Sequence, residues 1–436
     1  MITPREYLFG LEERGIKFGL SNIGYLLGAV GNPQLKYRTV HVGGTNGKGS
    51  TVAFVSNVLR RAGFTVGRYT SPHLVDFSER IVVDEVPIAD DDLDEHIRQF
   101  MTIAEQMPRI EGLERPTYFE FGTAIAFQYF RQKKVDFAVI ETGLGGRLDS
   151  TNVLEPEVVA ITNVDVDHTQ YLGCSIRQIA FEKAGIIKPG STVVTAARHS
   201  EAIEVIGDKC RETGSELFIH GRDFCHDLEP GEFPSQRMHF DSPLGVLRDL
   251  VVPLAGAHQG ENAALSAMIC LLLKQRFPEI TEQSIRDGFA STRWPCRFDL
   301  VRTSPLTILD GAHNPSAAAR VRDEVRRAFP DKRVIVVLAV SEDKDASGIV
   351  SALSPLAAKT IVTRYALKRS MSAETLYDIA RKYSHECAME PSLEAAIAHA
   401  DLGASADSLI LITGSLYVAG EAIKLFSSRT LRTAVP

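Results

Sequence analysis

The sequence is poor in the features that mark specialised chains. Its six cysteines, at 174, 210, 225, 270, 296 and 387, are scattered with no C-x-x-C pair, which argues against a zinc site and a disulfide framework and for reduced packing residues. Basic residues are outnumbered, 48 against 55 acidic, for a formal net charge of -7. That leaves no basic face for a nucleic acid to dock on. No apolar run approaches the roughly 20 residues of a membrane helix. Glu6, Glu12 and Glu13 come too early for a signal peptide, so a cytoplasmic protein is expected. Fixed-period repeats and low-complexity tracts are also missing.

What remains is a soluble globular composition, 44% hydrophobic and 24% charged over 436 residues. That length exceeds one ordinary core, which stops growing near about 250 to 300 residues, so two domains are expected. β-Branched runs alternate with helical patterns: RTVHV, VGRYT, VDFAVIE, VVAITN and STVVTA. Alternation of this kind implies a mostly parallel α/β sheet. Beyond residue 215, MHFDSPLGVLRDLVV reads as small antiparallel hairpins, followed by a helix from about His258 to Lys274. Alternation resumes with PLTILD, KRVIVVLAV, KTIVT and DSLILIT, implying a second α/β domain. STRWPCRFD, with Pro295 and the single tryptophan, separates the two. The expected division is 1–292, a linker 293–298, and 299–436.

The stretch HVGGTNGKGST, His41 to Thr51, nearly spells the phosphate-binding pattern G-x-x-x-x-G-K-[ST], except that Gly49 separates Lys48 from Ser50 and Thr51. A strand feeding glycines and then a helix presents backbone N–H groups and a helix N-terminus to phosphate. Gly43, Gly44, Gly47 and Gly49 permit close approach, Lys48 adds charge, and the hydroxyls of Ser50 and Thr51 reach phosphate or Mg²⁺. VIETGLGGRLDSTNV ends a strand on Glu141, where open α/β sheets bind ligands. Another strand ends in Asp165, Asp167 and His168. Each of these has a bland counterpart, a turn-capping acid or a structural histidine, but together they converge on one rim. Lys183 sits in a helical pattern, where most lysines are solvated. In the second half ILDGAHNPSAAA places Asp310 and His313 after a strand, with Pro315 opening a helix; the alternative is a plain tight turn.

GTNGKGST, TSPHLVDFSERI, TYFEFGTA, ETGLGGRLDSTN, VDHTQYLG, EKAGIIK, LAGAHQGENA, LDGAHNP and GSLYVAGE together resemble the folylpolyglutamate and dihydrofolate synthases of the Mur ligase superfamily. The resemblance runs from about Leu20 to Glu421. It implies a P-loop ATPase-type domain and a C-terminal Rossmann-like domain, with ATP as co-substrate. It implies that Gly44, Thr45, Asn46, Gly47, Lys48, Gly49, Ser50, Thr51, Asn262, Arg297, Asp310 and His313 serve the nucleotide. Two Mg²⁺ ions would be held by Ser71, Glu141 and His168. Lys183 matches a lysine that carries a carbamate, screened here by Phe181, Ala184, Ile186 and Ile187. Lys48, Lys183 and His168 are then the catalytic candidates. Thr117, Tyr118, Phe119, Asp149 and Ser150 match positions lining a pterin pocket. The implied reaction joins L-glutamate to dihydropteroate or a reduced folate through an acyl phosphate, in a protein that is commonly monomeric. Two rival classes are a Mur-type ligase acting on a cell-wall nucleotide precursor and a P-loop switch without a product. Two departures stand out. The linker pattern W-x-G-R-x-E is here WPCRFD, with Cys296 for glycine and Asp299 for glutamate, and an asparagine-proline-arginine pattern near 363 is reduced to Arg369.

Overall fold

The computed structural model describes residues 2–15 and 17–433. The chain forms two compact units. One takes the chain up to Leu228 together with Met238–Val251 and Gly260–Thr292; the other takes Glu229–Arg237, Val252–Gln259 and the chain from Arg293 onward.

In the first unit the described strands are β1 (Arg38–Gly43), β2 (Val66–Tyr69), β3 (Ile81–Val83), β4 (Val86–Pro87), β5 (Phe137–Glu141), β6 (Val158–Ile161), β7 (Thr192–Thr195) and β8 (Glu216–Ile219). They lie in the order β4-β3-β2-β5-β1-β6-β7-β8. All neighbours are parallel except β2/β3 and β3/β4. β1 is central, and β5 and β6 are buried along their whole length, which is why these runs read as unbroken apolar stretches rather than alternating ones. The short β3 and β4 escape the sequence pattern because a two- or three-residue strand has no period to detect.

The helix Lys48–Arg61 is buried on every side from Gly49 to Leu59. It packs against the helix Glu282–Ser291, where a Cβ on Gly288 would come within 2.6 Å of the Val58 Cα. Glycine thus lets the two backbones approach closely. Full burial of each Val, Leu or Phe on this helix stabilises by about 1.5–3 kcal/mol, which anchors the loop at its N-terminus.

A small antiparallel sheet follows, β9 (Cys225–Pro230), β10 (Gln236–Ser242) and β11 (Gly245–Val252) in the order β11-β10-β9. The helix expected from about His258 runs Ala257–Arg276.

The second unit is built on β12 (Asp299–Thr303), β13 (Leu306–Leu309), β14 (Arg333–Leu338), β15 (Ala357–Val362), β16 (Cys387–Met389) and β17 (Ser408–Thr413), ordered β12-β13-β17-β14-β15-β16. Only β12/β13 is antiparallel, so this is an α/β domain of Rossmann-like type. Two excursions join it for identifiable reasons. Phe233 packs edge-on against Phe298 and Phe329, at 5.9 and 5.1 Å between centroids. The Gln236 side-chain amide donates to the carbonyls of Leu254 and Gly256 at 2.9 and 3.0 Å. Neither contact is visible in local sequence pattern.

Candidate functional site

The phosphate-type loop leaves β1 at Gly43 and is stitched onto the end of β6. Thr45 N–H donates to the Asn163 carbonyl at 3.0 Å and Asn46 N–H to the Asn163 side-chain oxygen at 2.9 Å. The Thr162 hydroxyl donates to the Asn46 carbonyl at 2.6 Å. A Cβ on Gly44, at φ 141°, would fall 1.9 Å from the Thr162 hydroxyl, so this turn requires glycine. At Gly47, φ 85°, a Cβ would fall 2.2 Å from the Asn262 side-chain oxygen. Asn262 therefore lies against the loop.

The helix begins at Lys48 with no side chain capping it, so its first amides have no partner within the helix. Lys48 Nζ donates to the carbonyls of Gly44 and Thr45 at 3.2 and 3.1 Å and stands 4.0 Å from Glu141 Oε1. The hydroxyls of Ser50 and Thr51 are buried without a hydrogen-bond partner. Bare amides, an ammonium and two orphaned hydroxyls at a helix N-terminus form a donor set that matches a polyphosphate.

Glu141 comes beside the loop because β5 pairs with β1 in register Val42↔Glu141. Its carboxylate is buried and accepts from Ser71 N–H at 3.1 Å, so two of the residues proposed for metal adjoin. His168 has φ 50° and precedes the short helix Thr169–Leu172, with Nε2 3.9 Å from Asp167 Oδ1. Among the described residues no three His, Cys, Asp or Glu side chains gather as a metal-ligand group. Ser71 and Glu141 offer a hydroxyl and a carboxylate, oxygen ligands of the kind Mg²⁺ takes alongside water and phosphate; the His168 imidazole is the less usual ligand for so hard a cation.

Lys183 lies on the helix Ile176–Ala184 and is only 3% exposed, so the solvated-lysine pattern does not hold. Burial first, and then the charge of Lys48, push its ammonium down to about 7, while Asp167, Asp149 and Asp165 pull the other way. Ala184, Ile186 and Ile187 are buried as expected, but Phe181 is 57% exposed and lies beneath the Arg147 guanidinium at 5.5 Å. Phe181 is thus a correction to the expected screen: its helical position points it outward.

Around the loop Gly143–Asn152, the Phe119 ring covers Gly143 so closely that a Cβ there would meet Cζ at 2.4 Å. Phe119 also packs on Tyr69 at 6.0 Å. Thr117 is the cap of the helix Tyr118–Gln132, its hydroxyl accepting from Glu120 N–H. Tyr118 packs against Phe77 at 5.7 Å and carries the Arg80 guanidinium 5.2 Å from its ring centre. The Asp149 carboxylate and Ser150 are buried, and Asp149 is satisfied within its own loop by Leu144 N–H at 2.8 Å and Thr151 N–H at 3.0 Å. Arg80 and its acceptor His73 Nδ1, 2.9 Å apart, were not singled out from the sequence. Their only signal is membership of TSPHLVDFSERI.

In the second unit Asp310 is buried and accepts from Phe298 and Ala312 N–H, both at 2.8 Å. Burial raises its pKa, and Arg297 opposes the rise. His313 Nδ1 donates to the Gly311 carbonyl at 2.8 Å. Cys296 has φ 57° and is fully buried. The substitution for glycine therefore keeps the left-handed backbone, at a cost of about 1–2 kcal/mol, held in part by Gly311 N–H on the Cys296 carbonyl at 3.0 Å.

Residues 92–270 match the Mur ligase middle domain and residues 296–416 the Mur ligase glutamate ligase domain. The chain is 36% identical over 422 residues to a dihydrofolate synthase/folylpolyglutamate synthase of Bacillus subtilis, covering 95% of this chain and 96% of that protein. It is 37% identical over 395 residues to a folylpolyglutamate synthase of Lacticaseibacillus casei, covering 90% and 91%. Among solved structures it superposes on the Mycobacterium tuberculosis folylpolyglutamate synthase complexed with ADP and AMPPCP, with TM-score 0.90, 30% identity, and 96% and 97% of the chains covered. With the structure of E. coli FolC in complex with DHPP and ADP the TM-score is 0.89 at 28% identity, with 98% of each chain covered. Likeness at this level over nearly the full length shows that the chain belongs to the folylpolyglutamate/dihydrofolate synthase family of Mur ligases.

Proposed function

We propose that the protein joins L-glutamate to the carboxyl group of dihydropteroate, of a reduced folate, or of both, with ATP activating the acid as an acyl phosphate. The observation that carries the reading is the uncapped helix at Lys48, with its lysine and two orphaned hydroxyls beside Glu141. A carboxylate is a poor electrophile while ionised. Phosphorylation converts it into one that an amine can attack, and Lys48 would offset charge on the transferring phosphoryl group. Glu141, Ser71 and His168 would hold Mg²⁺, whose contribution when bound is further charge neutralisation there. Residues 1–292, apart from the excursions Glu229–Arg237 and Val252–Gln259 that join the second unit, would then serve as the ATPase domain, 293–298 as linker and 299–436 as ligase domain, and Arg297, Asp310 and His313 would serve the nucleotide. Phe119 offers a ring face to a flat pterin, with Thr117, Tyr118, Asp149 and Ser150 shaping the surroundings.

Lys183 would work as its carbamate. An ammonium near bound Mg²⁺ repels, whereas a carbamate supplies an anionic oxygen. A cytoplasmic monomer is part of the same proposal. All six cysteines are free, and among the described residues no helix is long and apolar enough to cross a membrane. The test is ADP release by the purified protein. Release that requires both L-glutamate and either dihydropteroate or tetrahydrofolate supports the reading, and assaying the two acids separately decides between synthase activities. Turnover indifferent to acid and amino acid would instead favour a P-loop switch.

A further inference from the structure

One buried histidine lies outside the roles considered so far. His41 is in the middle of β1, 0% exposed, three residues before the phosphate loop. Its Nε2 is 2.8 Å from the Thr151 hydroxyl, and that hydroxyl is 2.5 Å from Asp149 Oδ1. Asp149 Oδ1 also accepts from Thr151 N–H, and Oδ2 from Leu144 N–H.

Proton counting gives this chain a direction. A hydroxyl has one proton. If Thr151 donates it to the carboxylate, the Thr151 oxygen must accept from His41, so Nε2 carries the ring proton. The reverse polarity would protonate Asp149, which already faces backbone donors, and would put the ring N–H on Nδ1. His41 Nδ1 is buried with no hydrogen-bond partner. An orphaned buried donor of that kind is rarer and more costly than an orphaned lone pair.

The chain ends on a loop that is keyed to the site. Gly146 lies so close to the helix Ile176–Ala184 that a Cβ would meet the carbonyls of Glu182 and Lys183 at 2.7 and 2.9 Å. Arg147 N–H donates to the Glu182 carbonyl at 2.7 Å, and the Asn152 amide to the Gly185 carbonyl at 3.0 Å. On its other side the same loop meets Phe119 at Gly143.

We infer that His41 is a positioning residue for the ligase reaction: as a neutral Nε2–H donor it orients Thr151 and Asp149, which fix the loop Gly143–Asn152 between Phe119 and the backbone at Lys183. The activity consequence rests on the function proposed above, whereas the protonation pattern does not.

The test has two arms on the full-length protein. In histidine-¹⁵N-labelled protein at neutral pH, His41 shows a protonated Nε2 and an unprotonated Nδ1; a ring protonated on Nδ1 or on both nitrogens overturns the inference. In the second arm, His41→Gln places an amide nitrogen near the Nε2 position, and His41→Asn reaches only the Nδ1 position. Gln keeps kcat/KM for the acid within about threefold, while Asn and Thr151→Val lose about thirtyfold or more, with KM for ATP changed less than about threefold. Equal loss in folded Gln and Asn variants, or full activity in Asn, refutes a positioning donor. If an Asn or Val variant does not fold, the nitrogen spectrum of the wild type and the Gln variant decide. If the wild type ligates no acid at all, the functional reading fails while the spectrum still judges the hydrogen-bond chain.

Discussion

Exposing the protein to labelled carbon dioxide tests Lys183 directly. The reaction requires the neutral amine, and burial with Lys48 nearby brings this ammonium from 10.5 to about 7. At pH 7 roughly half of the Lys183 side chains are then neutral, against roughly one in 3,000 for a lysine at its ordinary value. The reactive form is therefore enriched by roughly a thousandfold or more over surface lysines. The assay is ¹³C NMR of protein equilibrated with ¹³C-bicarbonate near neutral pH, with Lys183→Arg as control, since a guanidinium does not lose its proton in this range. One carbamate resonance is expected in the wild type and none in the variant. Lys183→Ala should lose ligation, with partial recovery on adding a short-chain carboxylic acid. A wild-type spectrum identical to that of Lys183→Arg would refute both the lowered pKa and the carbamate.

Further consequences concern the loop and the buried ring. Lys48→Ala should reduce ATP turnover by several powers of ten with the fold unchanged by circular dichroism, because Nζ bonds to loop carbonyls and stands near Glu141; turnover within about threefold of wild type would remove it from the phosphate site. Gly47→Ala adds a methyl 2.2 Å from the Asn262 oxygen at φ 85°, so the loop or Asn262 must shift by about 1 Å, and KM for ATP should rise at least about tenfold; an unchanged KM would show that this turn does not hold nucleotide. His41 has its ring pushed down to about 3 by burial, then by Lys188. The folded pKa is below the unfolded one near 6.5, so the unfolded chain takes up a proton that the folded one refuses. This contribution is present above pH 6.5 and is lost by up to about 1.4 kcal/mol per unit as pH falls toward 3. Acid unfolding of His41→Gln should show a shallower pH dependence by that amount, and an identical profile would contradict the burial argument.

The order of elements was legible in the sequence because β1, β5, β6, β14 and β17 are buried on both faces and so read as short, unbroken apolar runs. The phosphate loop was legible for a local reason as well: its glycines are demanded by positive φ and close contact within a few residues of Lys48. Residue type alone therefore marked Lys48, Glu141 and Asp310 as polar groups at strand ends. The tertiary structure decided how those groups are held. Asp149 and Asp310 could be read as ligand contacts. The Asp149 carboxylate accepts from Leu144 and Thr151 N–H of its own loop, whereas Asp310 accepts from Ala312 N–H of its turn and from Phe298 N–H twelve residues away, a geometry that depends on how the chain closes around each. Lys183 follows a helical pattern that usually means solvent, and only its burial in the folded unit, with the charge of Lys48 nearby, lowers its proton affinity. Phe181, two residues earlier, faces outward. His41 and Thr151 are 110 residues apart, and no local pattern announces their hydrogen bond. Hydrophobic periodicity is a property of neighbours in sequence, whereas desolvation and charge depend on neighbours in space, and for this chain it is the second that fixes protonation at the site.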